Sequence, residues 1–282
     1  MILENCINHW SQLDKYMNFS LLICAGGLGS RLFPVTWAIP KELFPLSNKP
    51  ALHYVLEEAL AANISDVVFI TSPRKEALVG YLTYSHESNN VVTIFEEKKR
   101  LDILDELNKK ISYQFIIQEK PAGVGNAILK GKKAITKDYF FMAHPDDIMK
   151  NKQSGILQLK NVFNKYSCSV ILVEKVPLEK IHLYGVIQYK NKLGDGLFSV
   201  EKIIEKPTIE TAPSDYGVVG RYLLSTNVLQ NLDNQNQESP CFITAMNDLI
   251  TQGETILAVE VDCKRYDIGT VPGWLEAIRE LN

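Results

Sequence analysis

Short apolar runs rich in β-branched residues recur along this chain as far as Pro177, and stretches with apolar residues at helical spacing separate them. Phe19–Ala25, Asp66–Thr71 (DVVFIT), Gln114–Gln118, Tyr139–Ala143 (YFFMA) and Ser167–Glu174 read as strands. Between the first two, apolar residues at 51, 52, 55, 56, 59 and 60 mark one face of a helix. Pro50 stands ahead of it, where a first turn tolerates a proline. Further helices are expected from about Arg74 and near 123–136 and 154–166. The charge-rich stretch 95–110 reads as a solvated helix. Strands joined through helices lie parallel, so the alternation predicts an α/β fold with a doubly wound, mainly parallel, Rossmann-like sheet.

The rhythm changes after Pro177. Tyr184–Lys190 and Leu197–Glu205, joined by a Gly-Asp-Gly turn at 194–196, read as antiparallel strands. Tyr216–Ser225 and Ile256–Val261 are expected to extend this antiparallel portion, with a helix near 241–252 between them and a last helix over Pro272–Leu281. No repeat or linker interrupts the pattern. Residues 18–282 are therefore expected to form a single domain, with 1–17 an N-terminal extension. A chain of 282 residues, 46% of them hydrophobic, is long enough for a substantial core.

Charge excludes some functions. The net charge of −3 offers no general attraction to nucleic acid or to an anionic membrane. No run approaches the roughly 18 apolar residues of a membrane span. The first residues mix charged and apolar side chains too finely for a signal peptide. The five cysteines are scattered and lack a CxxC, which reads as buried thiols in a reducing cytoplasm. The five histidines are equally dispersed and form no metal-ligand cluster.

Directly after the first strand comes Ala25-Gly26-Gly27-Leu28-Gly29-Ser30-Arg31. A P-loop needs GK[ST], which the chain lacks, and a dinucleotide fingerprint needs a glycine where Leu32 stands. What remains is G-G-x-G-[ST]-R-L-x-P followed by P-K-E. Its backbone amides suit a phosphate nest, Arg31 can clamp phosphate through two donors, and Lys41 adds a point charge. The glycines alone also fit a tight turn with a solvent-facing Arg. The Lys-Glu pair between two prolines, ten residues after the Arg, argues against that reading. In QEKPAGVGNA, Gln118 ends a strand and offers a donor and an acceptor to a base edge. Gly123 and Gly125 would let a flat base lie near backbone, although Gly125 equally fits a simple helix start. HPDD, 144–147, follows the strand YFFMA, at the strand end where open α/β sheets bind ligands. Asp267 follows another strand. Asp147 reads as a loop or cap residue.

Together these motifs resemble the nucleotidyltransferase family that makes nucleoside-diphosphate sugars. AGGLGSRLFP, AIPKELFPL, EKP and APSDYGVVGRYLLS carry the resemblance, which runs from about Phe19 to Leu281. It implies uridylyl transfer from UTP to glucose 1-phosphate, giving UDP-glucose and pyrophosphate. Ala25, Gly26, Gly27, Gly29, Gln118 and Gly123 would bind the nucleotide. Gly185 and Glu205 would hold the sugar and Lys206 its phosphate, in an antiparallel sugar-binding portion. Asp146 and Asp267 would be the ligands of Mg²⁺. Arg31, Lys41 and Lys206 would be the catalytic cations. Glu205 and Lys206 would also fit a surface pair, although neighbours on one strand point to opposite faces. A homodimer or homotetramer is carried over from the same resemblance.

Some positions depart from the family pattern. His144 precedes Pro-Asp where an apolar residue is usual, and Trp37 replaces a frequent lysine. Phe242 and Ala245 replace polar residues in SPCFITAMNDLI. Arg221, in the strand expected to line the sugar site, reads as a partner for a carboxylate and is given no role in the chemistry. A thymidylyltransferase remains an alternative, because one methyl separates thymine from uracil and is worth only about 1–3 kcal/mol. A catalytically weak sugar-nucleotide-binding paralogue is the other.

Overall fold

A computed structural model of the chain describes residues 19–83, 95–150 and 153–281. The expected extension 1–17 lies outside the described residues. In chain order come β1 (Ser20–Cys24), the short strands β2 (Pro45–Leu46) and β3 (Lys49–Pro50), α1 (Ala51–Ala61), β4 (Asp66–Thr71) and α2 (Glu76–Leu82). Then follow α3 (Phe95–Lys110), β5 (Ser112–Ile117), α4 (Gly123–Gly131), β6 (Tyr139–Ala143), β7 (Asp147–Lys150), α5 (Gly155–Tyr166) and β8 (Ser169–Lys175). The rest is β9 (Gly185–Gly194), β10 (Leu197–Glu205), β11 (Tyr216–Ser225), α6 (Asn227–Asn234), α7 (Phe242–Thr251), β12 (Ile256–Glu260), β13 (Lys264–Asp267) and α8 (Val271–Leu281).

Nine strands form one sheet in the order β5-β4-β1-β6-β11-β8-β12-β10-β9. The first four are mutually parallel, as are β8 and β12. Strand β11 opposes both of its neighbours, β6 and β8, and β10 opposes β12 and β9. The sheet is therefore mostly parallel, as expected. The antiparallel portion differs from expectation in two ways. Strand β12 runs parallel to β8, and β11 sits in the middle of the sheet rather than beyond it. The reason lies in what covers its faces. YGVVGRYLLS is buried along its whole length, so both of its faces must be covered, which only an interior position provides. The β9-β10 hairpin is more exposed and takes the edge.

Alternate residues of β1 divide between the two sheet faces. Leu21 and Ile23 pack with Leu52, Val55 and Leu56 of α1 and Phe141 of β6. Leu22 faces the other way, toward Ile128 of α4, Leu232 of α6 and Met246 of α7. A strand covered on both sides reads as an unbroken apolar run, which is what SLLIC is. Between residues 102 and 110, helix α3 is mostly exposed, with Leu104 and Leu107 buried on one side. Cys24, Cys168 and Cys263 are half-buried, but Cys241 is exposed, against the expectation of buried thiols.

Candidate functional site

The carboxyl ends of β1, β4, β5 and β6 lie side by side, which is where an open parallel sheet leaves a crevice. The glycine loop leaves β1 here. The Ala25 amide donates to the Ile70 carbonyl at 2.8 Å, fastening the loop's start to β4. Among the described residues, no backbone carbonyl takes up the amides from Gly26 to Gly29, so they remain available as a nest. Gly29 has φ of 66°, and its carbonyl accepts the Thr36 hydroxyl at 2.8 Å. Arg31 follows on a 3₁₀ turn and reaches to 3.6 Å from Asp267.

Gln118 follows β5 and is buried. Its amide nitrogen donates to the Gly123 carbonyl at 3.2 Å and to Asn126 Oδ1 at 2.9 Å. Its oxygen lies over Gly26, only 2.4 Å from where a Cβ there would sit. The glycine loop and the 118–123 segment thus meet. Gly125 has a packing role: a Cβ there would meet the Pro240 carbonyl at 2.1 Å.

The His144–Asp147 segment leaves β6. The His144 amide donates to Gly220 of β11 at 2.9 Å, and its ring stands edge-on to Tyr222. Burial pushes the His144 imidazole toward its neutral form. Asp146 accepts a hydrogen bond from Lys41. Burial opposes its charge, but the Lys41 ammonium, His144 and the hydrogen bonds it accepts together outweigh burial and hold the carboxyl well below the usual range. Asp267 shifts the other way. Burial, then the negative charges of Asp147 and Asp146, raise its pKa against Arg31. Around Gly269 the three groups converge. A Cβ there would lie 2.7 Å from Asp146 Oδ2, 2.8 Å from Arg31 Nη2 and 3.0 Å from Asp267 Oδ1.

Gly185 opens β9 opposite Glu205, the last residue of β10. Lys206 lies just beyond the strand at φ of 48°, and its amide donates to the Tyr184 carbonyl at 2.9 Å. That backbone turn brings the two adjacent side chains together, with Lys206 Nζ 3.2 Å from Glu205. The strand rule that separates neighbours does not apply past the strand's end.

One cavity of about 590 Å³ joins these parts. Arg31, Gly123, Asp146, Gly185, Glu205, Lys206 and Asp267 all line it. Ala25, Gly26, Gly27, Gly29, Gln118 and Lys41 are outside its wall. Lys41 lies in a small adjoining crevice with Leu28, Phe33, Arg74 and Lys75. A hollow of about 650 Å³ at the opposite ends of β6 and β12 carries the carboxylate of Glu254 and no cation, which suits no phosphoester.

A model of the nucleotidyl transferase family matches residues 20–282. The chain belongs to the nucleotidyl transferase family. It is 31% identical over 260 residues to UTP–glucose-1-phosphate uridylyltransferase of Pseudomonas aeruginosa, covering 91% of this chain and 93% of that one. Against the Bacillus subtilis enzyme of the same name the identity is 31% over 264 residues, with 92% and 89% covered. A UDP-glucose pyrophosphorylase crystal structure complexed with UDP-glucose superposes with a TM-score of 0.82 at 30% identity, covering 93% of this chain and 98% of the other. UTP-bound UGPase from Acinetobacter baumannii also superposes with a TM-score of 0.82, at 28% identity and 93% coverage of both chains.

In this nucleotidyl transferase the residues fit a divalent metal. Asp146 and Asp267 bring two hard carboxylates together around Gly269, and burial together with the neighbouring carboxylates raises the Asp267 pKa. Mg²⁺ suits one or two carboxylates completed by substrate phosphates. Sequence reasoning missed several cavity neighbours. Arg265 lines the cavity, and its guanidinium binds Asp147, Glu174 and the Tyr184 hydroxyl. A signal existed: Arg265 and Asp267 are two apart on β13 and share a face. Glu42, next to Lys41, is fully buried against Lys75 at 2.7 Å, which sets the direction of the Pro-Lys-Glu turn.

Proposed function

We propose that this chain transfers the uridylyl group of UTP to glucose 1-phosphate, releasing pyrophosphate. The observation that carries this reading is that Arg31, Asp146, Asp267, Gly185, Glu205 and Lys206 all line one cavity. Relatives named for that reaction, at 31% identity over most of the chain, support it.

In this reading the Gly26–Gly29 amides receive the triphosphate. Both amide hydrogens of Gln118 are taken by Gly123 and Asn126, so its oxygen is left as an acceptor. That suits the N3–H of uracil or thymine and not cytosine, whose N3 is itself an acceptor. Glu205 and the Gly185 backbone hold sugar hydroxyls. Lys206 binds the sugar phosphate and turns one of its oxygens toward the α-phosphorus. Arg31 takes up charge on the departing pyrophosphate, and Lys41, beside Asp146, neutralises the phosphate chain next to it. The attacking phosphate is already ionised at neutral pH, so no side chain need act as a strong base. The residues contribute alignment and charge neutralisation. Asp146 and Asp267 would hold Mg²⁺, which when bound supplies positive charge that offsets the repulsion between the two phosphoesters. The reading includes residues 18–282 as one domain, a cytoplasmic location, and a homodimer or homotetramer as in the family it resembles.

The test is pyrophosphate release from UTP, dTTP and CTP, each paired with several sugar 1-phosphates, with Mg²⁺ and with chelator. UTP with glucose 1-phosphate and Mg²⁺ is expected to turn over fastest. Preference for dTTP would make the chain a thymidylyltransferase, and no turnover with any pair would make it a binding protein.

A further inference from the structure

Arg221 sits in mid-β11 and is fully buried, the largest such side chain among the described residues. A guanidinium has five N–H donors, and here all five are used. Nε and Nη2 grip the two oxygens of Glu58 on α1 at 3.2 and 2.7 Å. Nη1 donates to the carbonyls of His144 and Gly220, each at 2.9 Å. Nη2 also donates to the Asp147 carbonyl at 2.8 Å. One side chain therefore holds the backbone on both sides of Asp146.

Burying an ion pair is a poor way to gain stability, because desolvation offsets most of the attraction. Apolar side chains of similar volume would fill the same space at least as well. What they could not do is bind two carbonyls three residues apart. Lysine could not either, since its three donors sit on one nitrogen and cannot reproduce the five bonds that three guanidinium nitrogens make here. The pair thus has a geometric result that packing alone does not explain. The segment it grips is also held from the side. Arg265 binds the Asp147 carboxylate, whose other oxygen accepts the Gly220 amide at 2.8 Å. Asp146 has its side chain left to face the cavity while its flanks are fixed.

We propose that Arg221, oriented by Glu58, is a positioning residue that fixes the His144–Asp147 backbone and so aims the Asp146 carboxylate toward Asp267. This rests on the reading of Asp146 as a metal-facing group. It touches neither substrate nor metal, and acts through the loop alone.

The test compares wild type, Arg221→Lys, the double variant Glu58→Leu/Arg221→Met, and Asp146→Asn. Each is measured for melting temperature, for Mn²⁺ binding without substrates by the loss of the free-ion EPR signal, and for kcat and UTP KM. Arg221→Lys is expected to weaken Mn²⁺ binding and lower kcat by tenfold or more, with UTP KM changed less than threefold. The double variant removes both charges but also the donors to the His144 and Asp147 carbonyls, so it is expected to fold with a lowered melting temperature and to show the same loss of Mn²⁺ affinity. Wild-type Mn²⁺ affinity and kcat in either folded variant, while Asp146→Asn loses both, would overturn the positioning role and leave the proposed function standing. If Asp146→Asn itself keeps both, the metal reading fails and the positioning role fails with it.

Discussion

The backbone amide of Ile268 donates to the carbonyl oxygen of Asp146 at 2.9 Å, which joins the two loops that bring carboxylates to the cavity. The strands behind them pair as well, with Asp267 opposite Asp147 in the β7-β13 ribbon. Asp146 and Asp267 are thus set by one piece of backbone, and Gly269 is the only residue type that leaves room between their side chains and Arg31. Gly269→Ala would put a methyl within 3.0 Å of all three groups. Misplacing reacting groups by about 1 Å costs on the order of 10² in rate, so turnover should fall about that much with little change in melting temperature. Turnover within threefold of wild type would show that the convergence has no catalytic consequence.

Arg31 and Lys206 are the cations to remove. Their side chains are 61% and 62% exposed, so truncation should not disturb packing. Arg31→Ala and Lys206→Ala should each lower kcat/KM by about 10²–10³, the range for loss of a preorganised electrostatic group. The two should also separate by substrate: Lys206→Ala raises KM for glucose 1-phosphate, and Arg31→Ala leaves it close to wild type. Steady-state kinetics with each substrate varied in turn would check this, and near wild-type turnover in either variant removes that residue from the mechanism.

Neighbouring glycines should behave differently. A Cβ on Gly26 would stand 2.4 Å from the Gln118 oxygen, whereas one on Gly27 has nothing within 4 Å. Gly26→Ala must therefore push Gln118 away from Gly123 and Asn126, costing both stability and base selection. Gly27→Ala should leave melting temperature within a degree or two, while UTP KM rises if that open space is where the triphosphate lies. Thermal melts paired with UTP titrations decide it. Equal UTP affinity in wild type and Gly27→Ala would move the triphosphate elsewhere.

How much of this was legible beforehand depended on range. Strand β1, its glycine loop and HPDD could be read because each is a local pattern: an apolar run, then residues whose chemistry is visible in place. The position of β11 could not, since a strand's neighbours are chosen by what covers its faces, and YGVVGRYLLS looks alike in the middle or at an edge. Arg221 illustrates the same limit for a side chain. Pairing with a carboxylate could be read for it, but not which one, since its partner Glu58 is 163 residues earlier on helix α1. Glu205 and Lys206 meet as an ion pair against the strand rule for a local reason, the left-handed turn at Lys206, which nothing about a lysine announces.

The last prediction concerns acid stability. His53 on α1 is buried, with Nε2 2.7 Å from the Tyr81 hydroxyl. Burial lowers its pKa from 6.5 to about 4; Glu57 opposes the shift and Lys49 adds to it. The unfolded imidazole takes a proton near 6.5, but the folded one does not until about 4. Between those values the unfolded state binds more protons, so stability falls as the pH drops through that window and levels off below it. The full loss is on the order of 3 kcal/mol from the shift alone. Carboxylates titrate near its lower end, so the comparison must be with His53→Gln, which shares them. Wild type should lose melting temperature more steeply than the variant between pH 6.5 and 4.5. Parallel curves would mean that His53 is already solvated, and that the Tyr81 contact does not keep it neutral.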